Sequence, residues 1–203
     1  MLDKPAGLAV HPGPRGGPSV EDYFPLLSRR RDGPWLAHRL DTDTSGCLVV
    51  ALRRAALHAA QAAFASGQVT KIYWAVVRGR PAGDSGVIDA PLAKHNDRTG
   101  WRMAVDPAGA PATTAWRVLH APPPDEEPGF TCLELRPRTG RTHQIRVHCA
   151  YLGCPILGDP LYSDGEGRLH LLARSISIPL NPTLCATAPP PAHMVAALTA
   201  CGL

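Results

Sequence analysis

Six consecutive apolar residues at 47–52, C-L-V-V-A-L, directly follow a polar segment, D-T-D-T-S-G, at residues 41–46. A short apolar run that is bounded by turn residues is typical of a buried strand. The short polar side chains before it bond to their own backbone and favour a turn. The sequence therefore predicts a polar turn that leads into a core strand, with Asp41 near the edge of a sheet.

Alternating oxygen-bearing side chains followed by a glycine also resemble the start of a calcium loop of the EF-hand type. Such a loop needs glycine at position 6 and a bidentate glutamate at position 12. Counted from Asp41, Gly46 fits position 6, but position 12 is Leu52, which offers no oxygen ligand. The spacing therefore excludes this kind of metal site.

The remaining pattern alternates helix and strand signals. Residues 53–66 are alanine-rich and predict a helix with one apolar face, which ends at Gly67. Residues 69–77 carry β-branched and aromatic side chains and predict a strand, with Lys71 and Tyr73 on the same face. Two further strands are predicted at 113–119 and 130–135.

The length of 203 residues suits a single domain, which we expect to span 1–203. No apolar run approaches the roughly 18 residues of a membrane span. The first residues, M-L-D-K-P-A-G, lack the basic and apolar segments of a signal peptide. The cytosol is therefore the expected location, and a membrane is not an expected partner.

The chain contains six cysteines, which are expected to be reduced thiols because no export signal is present. Two histidines and two cysteines lie close enough in the sequence to raise the question of a zinc site: His143, His148, Cys149 and Cys154. No C-x-x-C or H-x-x-x-H spacing is present, which favours buried thiols beside solvated histidines. We therefore expect no metal.

The net charge of +4 is modest, but arginines are clustered along the chain. This distribution is compatible with an anionic partner such as nucleic acid, or with an ordinary solvated surface. The clusters are Arg29, Arg30 and Arg31; Arg78 and Arg80; and Arg136, Arg138, Arg141 and Arg146.

The segment at 140–153 predicts a helix over 143–152, with Thr142 as its N-cap and Gly153 at its end. His143 and Arg146 lie three residues apart and share a face. Arginines beside a helix N-terminus favour a phosphate or carboxylate ligand. They are equally compatible with arginines that only bind backbone carbonyls or a surface acid.

Several sequence blocks resemble the RluA-type RNA pseudouridine synthase family. They occur in the family's order over most of the chain: D-K-P-A-G-L-A-V-H-P-G from Asp3, H-R-L-D-T-D-T-S-G-C-L-V-V-A from His38, K-I-Y from Lys71, and G-R-T-H-Q-I-R-V-H-C-A-Y-L-G-C-P-I-L-G-D-P-L-Y from Gly140. The second and fourth blocks together are highly specific.

The resemblance implies an enzyme that isomerises a uridine in structured RNA, ribosomal or transfer, without a cofactor. The base must be flipped into a pocket before its bond to ribose can be reached. The family's catalytic aspartate corresponds to Asp41, which either attacks the sugar or removes a ribose proton. The arginine that pairs with this aspartate corresponds to Arg146, and the active-site tyrosine to Tyr73, on which the detached uracil would stack.

Other roles follow from the same resemblance. Arg39 would lie near the gap left by the flipped base, and Leu172 would line the pocket. The RNA backbone would be bound by Arg141, His143 and Lys71. Asp43 lies at a position that the pattern leaves free, and we assign it to the turn.

The fold implied by the resemblance is α+β, with a mixed, mostly antiparallel central sheet, flanking helices and a central active-site cleft. Family members usually have a strand before the K-P-A-G block, and many carry a small RNA-binding S4 domain. This sequence starts almost at that block, so either an edge strand is absent or the start codon has been placed too far downstream. We expect no S4 domain and a monomer. Two other classes of function remain: a non-catalytic RNA-binding or RNA-folding module, and a metal-dependent hydrolase that uses the His/Cys cluster.

Overall fold

The structure is a computed structural model that describes residues 1–13, 16–30, 32–97, 100–121, 129–163, 165 and 167–203. Arg31 of the first arginine cluster lies outside these residues. The chain forms two compact units, one made of Met1–Lys71 and Leu172–Pro190, the other of Ile72–Leu171 and Pro191–Leu203. The single domain expected over 1–203 stays a prediction.

The described elements, in chain order, are β1 (Leu2–Lys4), a 3₁₀ turn (Val20–Tyr23), α1 (Phe24–Leu27), β2 (Trp35–Leu36), β3 (Ser45–Leu48), β4 (Val50–Ala51), α2 (Arg54–Ala65), β5 (Thr70–Arg78), β6 (Ser85–Asp89), β7 (Leu92–Asp97), β8 (Gly100–Val105), β9 (Thr113–His120), β10 (Phe130–Pro137), α3 (Gln144–Tyr151), β11 (Leu171–Ile178), β12 (Leu184–Thr187) and α4 (Ala192–Ala200). Among the described residues, no helix is long and apolar enough to cross a membrane.

In the first unit, β3 lies between two neighbours. It pairs antiparallel with β1, with Cys47 opposite Asp3, and parallel with β11, with Ser45 opposite Leu172. β12 continues from β11 in antiparallel pairing, and β2 pairs with β4. The core of this unit contains Leu48, which is fully buried, and the small side chains of α2 at Ala60 and Ala63.

In the second unit, β5, β10, β9 and β6 form consecutive antiparallel pairs, while β7 and β8 form a hairpin. The core cluster joins sheet residues such as Val77 and Leu133 to Ile145 and Cys149 of α3. Burial of this apolar surface is the main stabilising contribution.

The second unit also contains the one departure from the cysteine prediction. Cys132 and Cys201 form a disulfide, so the expectation that all six cysteines are reduced thiols is wrong for these two. Cys47, Cys149, Cys154 and Cys185 are free thiols. The bond links β10 to the end of α4 across 69 residues of sequence, a contact that spacing alone cannot predict.

The predicted α+β class is confirmed, with mostly antiparallel pairing and few helices. The alanine-rich helix and the strands at 69–77, 113–119 and 130–135 are present with small shifts at their ends. The predicted continuous strand at 47–52 is instead divided into β3 and β4. Val49 lies between them, where its N–H donates to His38 Nε2 (3.0 Å) and its carbonyl accepts from Ala37 N (3.1 Å).

The start of α3 also differs from the prediction. Its N-cap is His143, in the left-handed conformation (φ 51°), and not Thr142. The Gln144 side chain replaces the expected cap, because its Oε1 accepts from Arg141 N (3.0 Å) and Thr139 Oγ1 (2.7 Å). This fixes the chain where it enters the helix, with His143 at the N-cap and Arg141 two residues before it.

Candidate active site

The turn that carries Asp41 belongs to the first unit and leads directly into β3. It is closed by a hydrogen bond from Thr44 N to Asp41 O (3.2 Å). Thr44 and Ser45 are buried, whereas Asp41 and Asp43 are only partly buried. The turn thus holds two carboxylates at the edge of a packed strand, in agreement with the predicted position of Asp41.

Lys4 anchors this turn from β1. Its ammonium donates to three carbonyl oxygens, those of Thr42 (2.8 Å), Leu8 (2.7 Å) and Pro5 (2.9 Å). Gly7 N also donates to Thr42 O (2.9 Å). Burial lowers the pKa of Lys4 to about 8, and the charges of Asp43 and Asp41 oppose that shift. Lys4 was not among the predicted site residues, although it lies in the K-P-A-G block.

His38 precedes this turn in the chain and binds the backbone just after β3. Its Nε2 accepts the Val49 N–H, and its ring packs on Phe64 of α2 with centroids 5.1 Å apart. Burial lowers the pKa of His38 to about 4, with a further contribution from the Lys71 charge, so the ring is neutral at pH 7. Arg39, next in the chain, is exposed. No pattern in the sequence pointed to His38 as a structural acceptor.

Two other predicted residues of the first unit lie in strands. Leu172 is fully buried in β11, beside β3, and its side chain lies next to Gly46, where a Cβ would be 2.9 Å from Leu172 Cδ1. Lys71 lies near the start of β5 and is partly buried, and this burial lowers its pKa. Their roles as a pocket residue and as an RNA-backbone contact stay predictions.

Tyr73 and Arg146 lie in the second unit. Tyr73 lies in β5, opposite Leu135 of β10, and its partly buried side chain packs against the core cluster. The Arg146 side chain is only 4% exposed and makes a two-pronged ion pair with Asp159, Nε to Oδ2 at 2.7 Å and Nη2 to Oδ1 at 2.8 Å. Pairing of Arg146 with Asp41, which the resemblance implies, stays a prediction.

Asp159 was not among the predicted site residues. Its Oδ1 also accepts from the backbone N–H groups of Leu161 (2.9 Å) and Tyr162 (3.2 Å), and its side chain is completely buried. The signal that could have identified it is its place in G-D-P-L-Y, within the same block as Arg146.

The start of α3 places basic and aromatic side chains together, and the RNA contacts of Arg141 and His143 stay predictions. His143 Nδ1 is hydrogen-bonded to Tyr162 Oη (2.8 Å), and its ring stacks on Trp101 of β8 with centroids 5.3 Å apart. Lys94 of β7 lies over the same indole at 4.9 Å. Arg141 is exposed and donates to Pro111 O (3.1 Å). These groups form a positive, partly aromatic surface of the kind that attracts RNA.

The His/Cys cluster does not have the form that we predicted. Cys149 and Cys154 are buried, and burial raises the pKa of both thiols. His148, however, is fully buried and not solvated: its Nε2 donates to Ala90 O (3.0 Å) and its Nδ1 lies 2.8 Å from Thr114 Oγ1. Among the residues described, no group of three or more His, Cys, Asp or Glu side chains could hold a metal ion.

Comparison with known proteins supports the resemblance seen in the sequence. The sequence model of the RNA pseudouridylate synthase family matches residues 1–151. An uncharacterized RNA pseudouridine synthase of Zymomonas mobilis is 41% identical over 185 residues, which cover 88% of this chain and 82% of the relative. The ribosomal large subunit pseudouridine synthase C of Vibrio cholerae is 37% identical over an alignment of 213 positions with gaps, which covers 98% of this chain and 65% of the relative.

A solved structure gives the same result for the fold. Human RNA pseudouridylate synthase domain containing 4 is 29% identical, with a TM-score of 0.79 over 97% of this chain and 87% of that chain. Several relatives are longer than this chain, which spans 53% of one from Chloroflexus aurantiacus. The predicted RluA-type resemblance is confirmed, and the chain belongs to the RNA pseudouridylate synthase family, whose members are isomerases.

Proposed function

We propose that this protein converts a uridine in structured RNA to pseudouridine, with Asp41 as the catalytic carboxylate. The observation that supports this most strongly is the turn at residues 41–44. A partly buried carboxylate lies just before a core strand, on a turn whose Thr42 carbonyl is bound by both Lys4 and Gly7. Such rigid support is what a group that reacts at one atom of a substrate requires.

The reaction needs no group from outside the chain and the RNA. The bond between N1 and the ribose C1′ breaks, a bond between C5 and C1′ forms, C5 loses a proton and N1 gains one. Asp41 would act on the sugar as nucleophile or would remove a ribose proton. Tyr73 would stack on the detached base, Arg146 would stabilise the charged carboxylate, and Arg39 would lie near the gap that the flipped base leaves.

RNA binding is assigned to the basic surface at the start of α3. Arg141 and His143, with Lys71, would contact the phosphate backbone, and Leu172 would line the base pocket. Relatives named for the large ribosomal subunit make that RNA the first substrate to test, with transfer RNA second. We propose that the protein acts as a monomer in the cytosol, where these RNAs are found.

The test uses the organism's own large-subunit ribosomal RNA, transcribed in vitro with C5-tritiated uridine. Because C5 loses its hydrogen, each pseudouridine formed releases tritium to water. We expect release by the wild type and none by Asp41→Asn, which should still retain RNA in a filter-binding assay. Removal of one essential group typically lowers a rate by a factor on the order of 10³ or more.

Asp43→Asn is the matched control, since Asp43 lies in the same turn, two residues away, and the substitution is equally conservative. It should retain most of the activity if Asp43 only shapes the turn. Continued tritium release by Asp41→Asn would refute the catalytic assignment. Retention of the ribosomal RNA, and of a transfer RNA transcript tested in the same way, without tritium release by the wild type would instead support the non-catalytic RNA-binding module.

A further inference from the structure

The ion pair between Arg146 and Asp159 is among the most completely buried charged contacts in the described part of the second unit. The exposed side-chain fractions are 4% for Arg146 and 0% for Asp159. Removing two ions from water is costly, and apolar residues of similar size are often equally or more stabilising. Stability alone therefore gives a weak reason for this pair, and a positional role gives a better one.

Asp159 is itself fixed by the backbone around it. Its Oδ1 accepts from Leu161 N and Tyr162 N, and its own N–H donates to Ile156 O (3.2 Å). Gly158, just before it, adopts φ +71° and lies so close to Arg168 that a Cβ would be 2.0 Å from the Arg168 carbonyl oxygen. The carboxylate is thus held by a tight turn that has little room to move.

A carboxylate fixed in this way determines the orientation of the arginine. Asp159 receives Nε and Nη2, two of the three nitrogens of a planar group, so the plane of the guanidinium and the direction of Nη1 are set. The Tyr162 ring contributes a second restraint, with its centroid 5.1 Å from Arg146 Cζ. Tyr162 Oη is in turn bound to His143 and to Met103 N (3.0 Å).

We infer that Asp159, supported by Tyr162, is a positioning residue that orients Arg146 for its role in the isomerisation. The inference rests on the proposed function, because it concerns how Arg146 serves that reaction. Asp159 would touch neither RNA nor the reacting atoms. Its loss should therefore lower the rate of the chemical step and leave RNA binding, which depends on phosphate contacts elsewhere, nearly unchanged.

The experiment measures tritium release under single-turnover conditions, with enzyme in excess over the ribosomal RNA transcript. It yields a maximal rate constant and the enzyme concentration that gives half of it. For Asp159→Asn we expect the rate constant to fall on the order of tenfold to hundredfold, as displaced catalytic groups do. The half-saturating concentration should stay within about twofold of the wild-type value.

A double-mutant cycle separates positioning from general damage to the fold. If Asp159 acts only through Arg146, then Asp159→Asn should cause no further loss of rate in an Arg146→Met background. The matched control is Glu134→Gln. Glu134 is also a buried carboxylate in a two-pronged ion pair, with Arg117 at 2.8 and 2.9 Å, but it lies in the sheet and has no proposed role. That control should lower thermal stability and leave the rate constant unchanged.

Because Asp159→Asn removes the charge opposite a buried arginine and can prevent folding, Tyr162 provides a second test. Tyr162→Leu removes the ring from Arg146 and should lower the rate constant several-fold, whereas Tyr162→Phe keeps the ring and should have the smaller effect. Any of three results would overturn the inference. The first is a folded Asp159→Asn variant with the wild-type rate constant, and the second is fully additive losses in the double-mutant cycle. The third is equal rate constants for the two Tyr162 variants. An inactive wild type would instead overturn the proposed function, which the same assay reports first.

Discussion

Gly46 gives the sharpest test of how the turn at 41–44 is supported. It adopts φ +107° in β3, opposite Lys4 on one side and Ala173 of β11 on the other. A Cβ at this position would lie 2.4 Å from the Ala173 carbonyl oxygen and 2.9 Å from Leu172 Cδ1. The substitution Gly46→Ala therefore requires both a disfavoured backbone conformation and a displacement of β11.

The magnitude has two parts. A side chain at positive φ costs about 1–2 kcal/mol relative to glycine. Ordinary contact would need the oxygen to move by roughly 1 Å, and overpacking of this kind typically costs about 1–3 kcal/mol. Together they predict that the free energy of unfolding falls by about 2–5 kcal/mol, a large part of the 5–15 kcal/mol typical of a domain.

The measurement is urea denaturation followed by fluorescence or circular dichroism, with tritium release from the RNA transcript as a second readout. Gly67→Ala is the control, because Gly67 has φ +69° but nothing within 4 Å of its would-be Cβ. It should lose only the conformational part, about 1–2 kcal/mol. A Gly46→Ala variant no less stable than Gly67→Ala would show that the close approach of β3 and β11 is not as described.

Two further predictions concern titration and redox state. The pKa of His38 is about 4 in the folded protein, below the ordinary 6.5, so the unfolded chain binds this proton at a higher pH than the folded protein does. The free energy of unfolding should therefore fall by up to about 3 kcal/mol as the pH drops from 6.5 to 4. His38→Gln should lack this part of the pH dependence in urea denaturation, and an unchanged pH profile would contradict the assignment. For the disulfide, denatured protein should titrate four thiols before reduction and six after it. Closing a loop of 69 residues corresponds to about 4 kcal/mol, so reductant should lower the melting temperature; six thiols at the outset would show that Cys132 and Cys201 are not bonded.

The sequence was most informative where the signal is local. The alanine-rich pattern and Gly67 place α2 within one residue at each end, and the β-branched run places β5 equally well. The strand at 47–52 was less predictable, because its division at Val49 depends on His38, a residue outside the run. Likewise the start of α3 depends on a Gln144 side chain that reaches back to Thr139 and Arg141.

The positions of the candidate site residues were predictable to the extent that the motifs are contiguous. Asp41 stands at the turn where the D-T-D-T-S-G pattern put it, and Arg141 and His143 lie together at one helix end. The motifs did not reveal which residues bind the turn of Asp41 or the side chain of Arg146. Asp159 and Lys4 act through contacts that join distant parts of the chain, 13 residues away in one case and 38 in the other.

Lys4 and Asp159 have a common physical feature. Each is a charged side chain at most 2% exposed, and each makes several hydrogen bonds to the backbone: Lys4 donates to the carbonyls of Leu8 and Thr42, and Asp159 accepts from Leu161 N and Tyr162 N. An apolar side chain would fill either space without the cost of desolvating a charge, but it could not restrain a carbonyl or a guanidinium in direction. The charge is therefore most useful where orientation matters more than stability. Lys4 restrains the turn that carries Asp41 in the first unit, and Asp159 restrains the guanidinium of Arg146 in the second.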